Sequence, residues 1–232
     1  MRKLLALCAL SVLTLVGAAA AAGGGTMSVA LQPDKVRKHS RLTVSASGFT
    51  ETSLPTAAEI DVQKGFTASA KSVAKLCTDP RACPPASSIG SGFARVTAST
   101  VLGRVADTVN FTLYLGRRER AGDIASVIVI GQDSELHQTA TGSGRLLKKA
   151  SGRLELLFDH FPTIRNPAVT AVTLDSLSLS AGATRTVKRH HKRVTYALIT
   201  NPSTCNGHWT GVATVTFAGK KSSNSLFIPC VK

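Results

Sequence analysis

Aromatic side chains are scarce in this chain of 232 residues: they make up 5% of it, and only one is a tryptophan. Proteins that stack sugars on a flat face present several such rings, so the composition argues against a lectin platform. Acidic residues are also few, with 13 Asp and Glu against 28 Lys and Arg. So few carboxylates leave little choice for the paired acids of a glycoside hydrolase.

Short catalytic motifs are missing as well. The chain contains no G-x-S-x-G, no H-E-x-x-H and no glycine-rich phosphate loop. His137 and the Asp159-His160 pair are the candidate acid–base residues, and a hydrolase would need them to converge on a nucleophile. We therefore assign no catalytic residue and expect no cofactor. An extracellular hydrolase is the least favoured of the functions considered.

The N-terminus has the three parts of a secretory signal peptide. Arg2 and Lys3 precede an uncharged apolar run from Leu4 to Val16, and small residues follow as far as Ala22. A membrane span needs about 20 apolar residues, which this run does not reach. We expect cleavage after Ala20 or Ala22, and no transmembrane segment in the exported chain. Cys8 lies inside the apolar run, too early to be a lipid-anchored cysteine.

Four cysteines remain once the leader is removed, and an even number in an exported chain favours disulfides. Of the three connectivities, pairing by proximity in sequence favours Cys77–Cys83 and Cys205–Cys230. A zinc site is the alternative. The cysteines lack C-x2-C spacing and no histidine pair follows at the usual interval, so we predict no metal.

Alternating apolar and polar residues dominate the chain, and helical periodicity is rare. Turn residues recur about every 8–12 positions, as in an antiparallel β-sandwich of the immunoglobulin-like or jelly-roll-like kind. We predict one such domain over residues 23–232, with a loop at 80–92 and a short helix or loop at Ala68–Leu76. The predicted strands are Met27–Leu31, Arg41–Ser47, Phe93–Thr100, Val105–Leu115, Ile124–Ile130, Leu136–Thr141, Arg153–Phe158, Val169–Leu179, Arg193–Ile199, Thr210–Phe217 and Ser225–Cys230.

Positive charge is concentrated in three stretches. The leader carries two of the 28 basic residues and no acidic one, which leaves the exported chain at +13. Such a balance favours acidic partners. The densest stretch, residues 185–193, is either an anion-binding patch or a solvated hairpin tip. Its adjacent His190 and His191 would point to opposite faces of a strand, which disfavours a metal site. The first stretch comprises Arg185, Lys188, Arg189, His190, His191, Lys192 and Arg193, the second Arg117, Arg118 and Arg120, and the third Arg145, Lys148 and Lys149.

Several short motifs follow one another in a recognisable order. They are Leu76-Cys77, Ala82-Cys83-Pro84-Pro85-Ala86-Ser87-Ser88-Ile89-Gly90, Thr112-Leu113-Tyr114-Leu115-Gly116, Gly152-Arg153-Leu154 with Phe158 and Phe161-Pro162, and Asn201-Pro202-Ser203-Thr204-Cys205 with Trp209 and Cys230. Over about residues 70–230 the chain resembles an uncharacterised β-rich domain of exported actinobacterial proteins. The resemblance implies export, β-structure and the same cysteine framework, and it implies no activity. The basic stretch from Arg185 to Arg193 departs from the pattern, which has a short glycine-rich turn there.

Together these observations favour a non-enzymatic structural or interaction protein, secreted or associated with the cell surface. The alternative is a polyanion-binding module that uses the basic stretch 185–193, with anionic cell-wall polymers or glycans as partners. Aromatic residues do not alternate with its cations, and only Tyr196 is near. For that reason we expect no specific nucleic-acid partner.

Overall fold

The computed structural model describes residues 19–20, 25–133, 139–161 and 169–232. In these residues the fold is all-β, as the alternation predicts. The strands are β1 (Ala19–Ala20), β2 (Thr26–Gln32), β3 (Arg41–Ser47), β4 (Ala57–Lys64), β5 (Thr67–Ala68), β6 (Ser88–Thr100), β7 (Gly103–Leu115), β8 (Asp123–Asp133), β9 (Thr139–Lys148), β10 (Arg153–His160), β11 (Val169–Ala181), β12 (Thr184–Arg189), β13 (Lys192–Ala197), β14 (Ile199–Thr200), β15 (His208–Phe217) and β16 (Lys220–Pro229). Single 3-10 turns occur at Ala70–Ser72 and Pro85–Ser87.

Twelve strands form one antiparallel sheet in the order β1-β2-β3-β11-β6-β7-β8-β9-β10-β4-β15-β16. The sheet rolls up until β16 lies beside β2, so its two halves face each other as the layers of a sandwich. Two small pairs, β12-β13 and β14-β5, lie outside this sheet. None of the helices in the described ranges is long and apolar enough to cross a bilayer.

The core lies between the facing halves of the sheet. Alternate residues of each strand point inward, as Met27, Val29 and Leu31 do on β2, because successive side chains of a strand lie on opposite faces. Trp209 is fully buried and packs edge-on against Phe66, with ring centroids 5.4 Å apart. A central cavity of about 50 Å³ has an almost wholly apolar lining, so the interior is packed rather than hollow.

The structure corrects the predicted loop at 80–92, because β6 already begins at Ser88. Two glycines allow β6 to begin this early. A Cβ on Gly90 would lie 2.0 Å from the Ser180 oxygen, and one on Gly92 would lie 2.2 Å from the Ser178 oxygen. Glycine in a strand permits such close backbone approach to a neighbour, here β11. The same residues that resemble a loop in composition are therefore what lets β6 pack against β11.

Two further predictions were incomplete. Strand β4 was not predicted, and β9 runs to Lys148 rather than ending at Thr141. Strand β4 carries Glu59 and Asp61 on its outer face, and β9 continues through Gly142, Gly144 and Arg145, so both look like connecting segments in the sequence. The leader apart from Ala19–Ala20, including Cys8, together with His137 and Pro162, lies outside the described residues.

Candidate functional site

Strand direction brings most of the basic connecting segments to one end of the rolled sheet. Antiparallel pairing places the end of β2, the end of β7 and the start of β10 at this end, together with the end of β11. We call it the basic rim, defined by the connecting segments 33–40, 65–87, 116–122, 149–152, 182–207 and 230–232. All three predicted basic stretches touch it.

The charge of this rim is strongly unbalanced. Its acidic residues are Asp34, Asp79 and Glu119. Apart from Lys149, its Lys and Arg residues are Lys35, Arg37, Lys38, Lys71, Lys75, Arg81, Arg117, Arg118, Arg120, Arg185, Lys188, Arg189, Lys192, Arg193 and Lys232. At the opposite end, the described connecting residues 48–56, 101–102 and 218–219 contain Glu51 and no Lys or Arg, and the adjoining strand ends carry three cations, Arg104, Lys220 and Lys221. The positive charge of the chain is therefore polarised along the sandwich.

Both disulfides lie in the basic rim. Both pairings match the prediction from cysteine spacing. Cys77–Cys83 closes a short loop, and the Cys77 amide donates to the Leu115 carbonyl at 2.8 Å, which ties that loop to segment 116–122. Cys205–Cys230 joins segment 182–207 to the end of β16. Two disulfides in so small a chain indicate an extracytoplasmic location.

Asn201 fixes the segment that carries Lys35, Arg37 and Lys38. Its buried Nδ2 donates to the Pro33 oxygen at 3.0 Å and to the Lys35 oxygen at 2.8 Å. The Arg37 amide in turn donates to the Pro202 carbonyl at 3.0 Å. The Asn-Pro motif thus has a structural role, because it fixes the backbone that carries three of the rim's cations.

The densest basic stretch is a β-hairpin, β12-β13, rather than a loop. Its turn is His190-His191, and both residues have positive φ, 45° and 63°. This corrects the expectation that the histidines alternate on a strand. Near the hairpin base, Arg185 Nη1 donates to the Val73 carbonyl at 3.3 Å, and Lys71 Nζ lies 5.4 Å from the Tyr196 ring centroid. The other cations of the hairpin, Lys188, Arg189, Lys192 and Arg193, are exposed.

The turn of this hairpin is conformationally unfavourable as it stands. Two-residue turns with positive φ at both positions favour Asn-Gly, since other L-residues cost roughly 1 kcal/mol or more in that region. We therefore expect His190→Asn combined with His191→Gly to slow amide hydrogen exchange in β12 and β13 about 10-fold. The matched control is His190→Ala with His191→Ala, which removes the rings and keeps a Cβ. Equal slowing by the control would show that the rings, not the backbone, set the stability of the hairpin.

The third basic stretch is mostly engaged in ion pairs on the outer face of the sheet. Arg145 Nη1 lies 3.3 Å from Asp123 Oδ1. Lys149 Nζ lies 3.1 Å from Glu59 Oε1 and 3.0 Å from Asp61 Oδ2, and it also contacts Glu155. Only Lys148 of the three is exposed.

The carboxylates of Glu59, Asp61 and Glu155 lie close enough together to hold a metal ion. The Lys149 ammonium occupies the position between them, and Arg153 Nε lies 2.8 Å from Asp61 Oδ1. Burial raises the pKa of the Glu155 carboxyl above its ordinary value, the Lys149 hydrogen bond opposes this, and the nearby Glu59 adds to it. Burial lowers the pKa of Lys149, but hydrogen bonds to the three carboxylates outweigh this and raise it. The cluster is an ion network of three carboxylates and two cations, with an ammonium rather than a metal ion at its centre.

Of the predicted acid–base candidates, Asp159 and His160 lie away from this rim, and His137 lies outside the described residues. His160 is 72% exposed at the far end of β10, and its Nδ1 lies 2.9 Å from Asp159 Oδ1. Comparison of the chain with protein-family models, with curated proteins and with solved structures gives no match.

Proposed function

We propose that this chain is an exported, non-catalytic interaction protein of the cell surface or extracellular space, and that its basic rim binds acidic polymers. The observation that carries the proposal is the polarisation of charge. Apart from Lys149, one end holds 15 Lys and Arg residues and three carboxylates, whereas the described residues at the other end hold the three cations Arg104, Lys220 and Lys221 at strand ends and none in the connecting segments. A surface whose charges served solubility alone would have positive and negative residues interspersed.

The arrangement of the hairpin supports binding to an extended chain of anions. Lys188 pairs across the hairpin with Arg193, and Arg189 pairs with Lys192. Cross-strand partners lie side by side, and successive residues alternate between the two faces. Each face near the tip therefore carries a cation pair, which suits repeated phosphates or carboxylates. Anionic cell-wall polymers and acidic glycans are partners of this chemistry.

The test is the salt dependence of binding to a linear polyphosphate. Affinity for a flexible polyanion falls with salt at a slope of roughly −0.7 per contact, because each contact releases a counterion. We expect the fourfold variant Lys188→Gln, Arg189→Gln, Lys192→Gln and Arg193→Gln to bind about 30-fold more weakly at 50 mM salt, with a slope shallower by about 2–3. Arg185 is left in place because it holds the hairpin base.

The matched control is Lys220→Gln with Lys221→Gln, since both side chains are exposed on β16 at the opposite end. It should leave affinity and slope within about 2-fold of the parent. An unchanged slope in the fourfold variant would remove the hairpin from the binding surface. Equal loss per charge in the control would reduce the effect to overall net charge and contradict a rim site.

A further inference from the structure

The odd number of strands in the sheet makes its two edge strands run in the same direction. From β2 to β16 the sheet has eleven strands once β1 is set aside, and every neighbouring pair is antiparallel. The first and last strands of an odd antiparallel series run in the same direction. Rolling therefore places β2 beside β16 with parallel orientation, and one more strand, antiparallel to both, would close the sheet. We call the line between β2 and β16 the seam.

The seam is closed by hydrogen bonds at the basic rim, whereas at the other end, which we call its open end, only the two-residue strand β1 lies along it. At the rim, the Val36 amide donates to the Val231 carbonyl at 3.1 Å, and the Val231 amide donates to the Asp34 carbonyl at 3.0 Å. At the open end a cavity of about 50 Å³ separates the strands, lined by Met27, Phe217 and Asn224 among others. Unpaired strand edges are templates for another strand.

Buried polar atoms at the open end have no hydrogen-bond partner. Asn224 is 6% exposed, and both its Oδ1 and the Ser222 Oγ are buried and unpaired. Both residues lie on β16 and line the cavity. These are two of six such atoms in the described residues, and they stay unpaired with β1 alongside. A strand that presents a polar side chain to them would supply the hydrogen bond that buried polar groups normally make.

Strand β1 shows what kind of partner fits. Ala19 pairs with Met27 and Ala20 with Thr26, antiparallel to β2, and the pair of residues also lies beside β16. Export cleavage after Ala20 or Ala22 would remove these residues. Too few residues would remain ahead of Gly25 to fold back along β2.

We propose that in the exported chain the open end of the seam accepts an extended segment of a partner protein, antiparallel to β2 and β16. The small cavity requires small inward side chains, and a hydroxyl among them would satisfy Asn224 Oδ1. Beside the seam, the exposed Lys220 and Lys221 outnumber the one acidic residue of the cavity lining, Glu51, which favours acidic residues on the outward face of that segment. Main-chain pairing of this kind is an established mode of peptide recognition. The inference rests on the export part of the proposed function.

The probe is a labelled peptide, acetyl-Ala-Thr-Ala-Glu-Ser-Glu-Ala-Thr, measured by fluorescence anisotropy at 0.3 M salt to suppress attraction to the basic rim. We expect the exported chain to bind it with a Kd of about 10 µM, and the uncleaved precursor to bind at least 10-fold more weakly because β1 occupies the seam. The control peptide has proline in place of both threonines, which keeps the charge and removes two amide donors. It should not bind.

Two further measurements test whether the peptide binds at the seam. Asn224→Leu should raise the melting temperature of the uncleaved precursor, in which Asn224 is buried and unsatisfied, and should weaken peptide binding by the exported chain about 5-fold. Peptide should slow hydrogen exchange in β2 and β16 and leave β12 and β13 unchanged.

Several results would overturn the inference: equal binding of the proline peptide, amides of β2 and β16 already protected before peptide is added, or a dimer of this chain that protects the same strands. The intact mass of the exported chain separately establishes whether residues 19–20 have been removed. Polyphosphate binding at low salt, measured on the same chain, keeps a failure at the seam distinct from a failure at the basic rim.

Discussion

Replacing Lys149 with methionine is expected to lower the free energy of unfolding by about 2 kcal/mol at neutral pH, less than for a fully buried pair because the Lys149 side chain is itself 35% exposed. The Glu155 side chain is 7% exposed, and its carboxylate would lose its ion-pair partner. Glu59 and Asp61 would lose the same cation and add their repulsion. Chemical denaturation followed by the fluorescence of the single tryptophan, Trp209, measures the loss.

The loss should shrink in acid. Burial already holds the Glu155 pKa above its ordinary 4.5 in the folded chain, and removing Lys149 raises it further. A carboxyl with a raised folded pKa favours folding when protonated, and this stability is lost as pH rises through the folded pKa. The difference between variant and parent is therefore greatest near pH 7 and smallest below about pH 4.

Adjacent residues supply the controls for Lys149. Lys148 is exposed, so Lys148→Met should change the free energy of unfolding by less than about 0.5 kcal/mol. Adding Glu155→Gln to Lys149→Met should recover much of the lost stability, because the amide removes the uncompensated charge. A loss as large at Lys148 would mean that general charge, not this network, stabilises the sheet.

Removing the Cys205–Cys230 disulfide by alanine at both positions is expected to cost about 3.5 kcal/mol from chain entropy alone. The sequence separation is 25 residues, and both half-cystines are buried. The bridge joins the start of the β15-β16 hairpin to its end, beside the buried Trp209 whose Nε1 donates to the Thr204 carbonyl at 2.8 Å. Loss of the bridge frees both ends of that hairpin in the unfolded chain.

The other disulfide is the matched comparison. Cys77–Cys83 closes a separation of six residues, for which the same entropy argument gives about 2 kcal/mol. Thermal unfolding of the two double-alanine variants under identical conditions should place the Cys205/Cys230 variant lower. The reverse order would show that local packing around Cys77, not loop length, decides the contribution of each bridge.

Strands that bury one face and expose the other could be predicted from the sequence. Met27–Leu31 and Thr210–Phe217 were predicted because apolar residues alternate with polar ones along them. Strand β4 was missed since its outer positions carry Glu59 and Asp61, whose partners Lys149 and Arg153 come from segment 149–152 and from β10, about 90 residues away. A local pattern holds no information on such partners.

The same distinction applies to the basic rim. The three basic stretches could be listed from the sequence, and so could the disulfide pairing, because cysteine spacing limits the choices. That Arg117 and Arg185 share one end of the molecule depends on strand order, in which β11 inserts between β3 and β6. The engagement of Arg145 and Lys149 in ion pairs also depends on that order. Hence the first and second stretches have exposed cations, whereas two of the three cations of the third are engaged in ion pairs.

A molecule that is positive at one pole has a large electric dipole, and such a dipole orients it near any anionic surface before contact. The basic rim would arrive first, and the β6-β7 hairpin tip would face outward at the opposite pole. Val101 and Leu102, which form that tip, are 79% and 96% exposed. A layer of such molecules would present one apolar loop per copy at a uniform height, which turns a charged surface into a regularly spaced array of identical contact points.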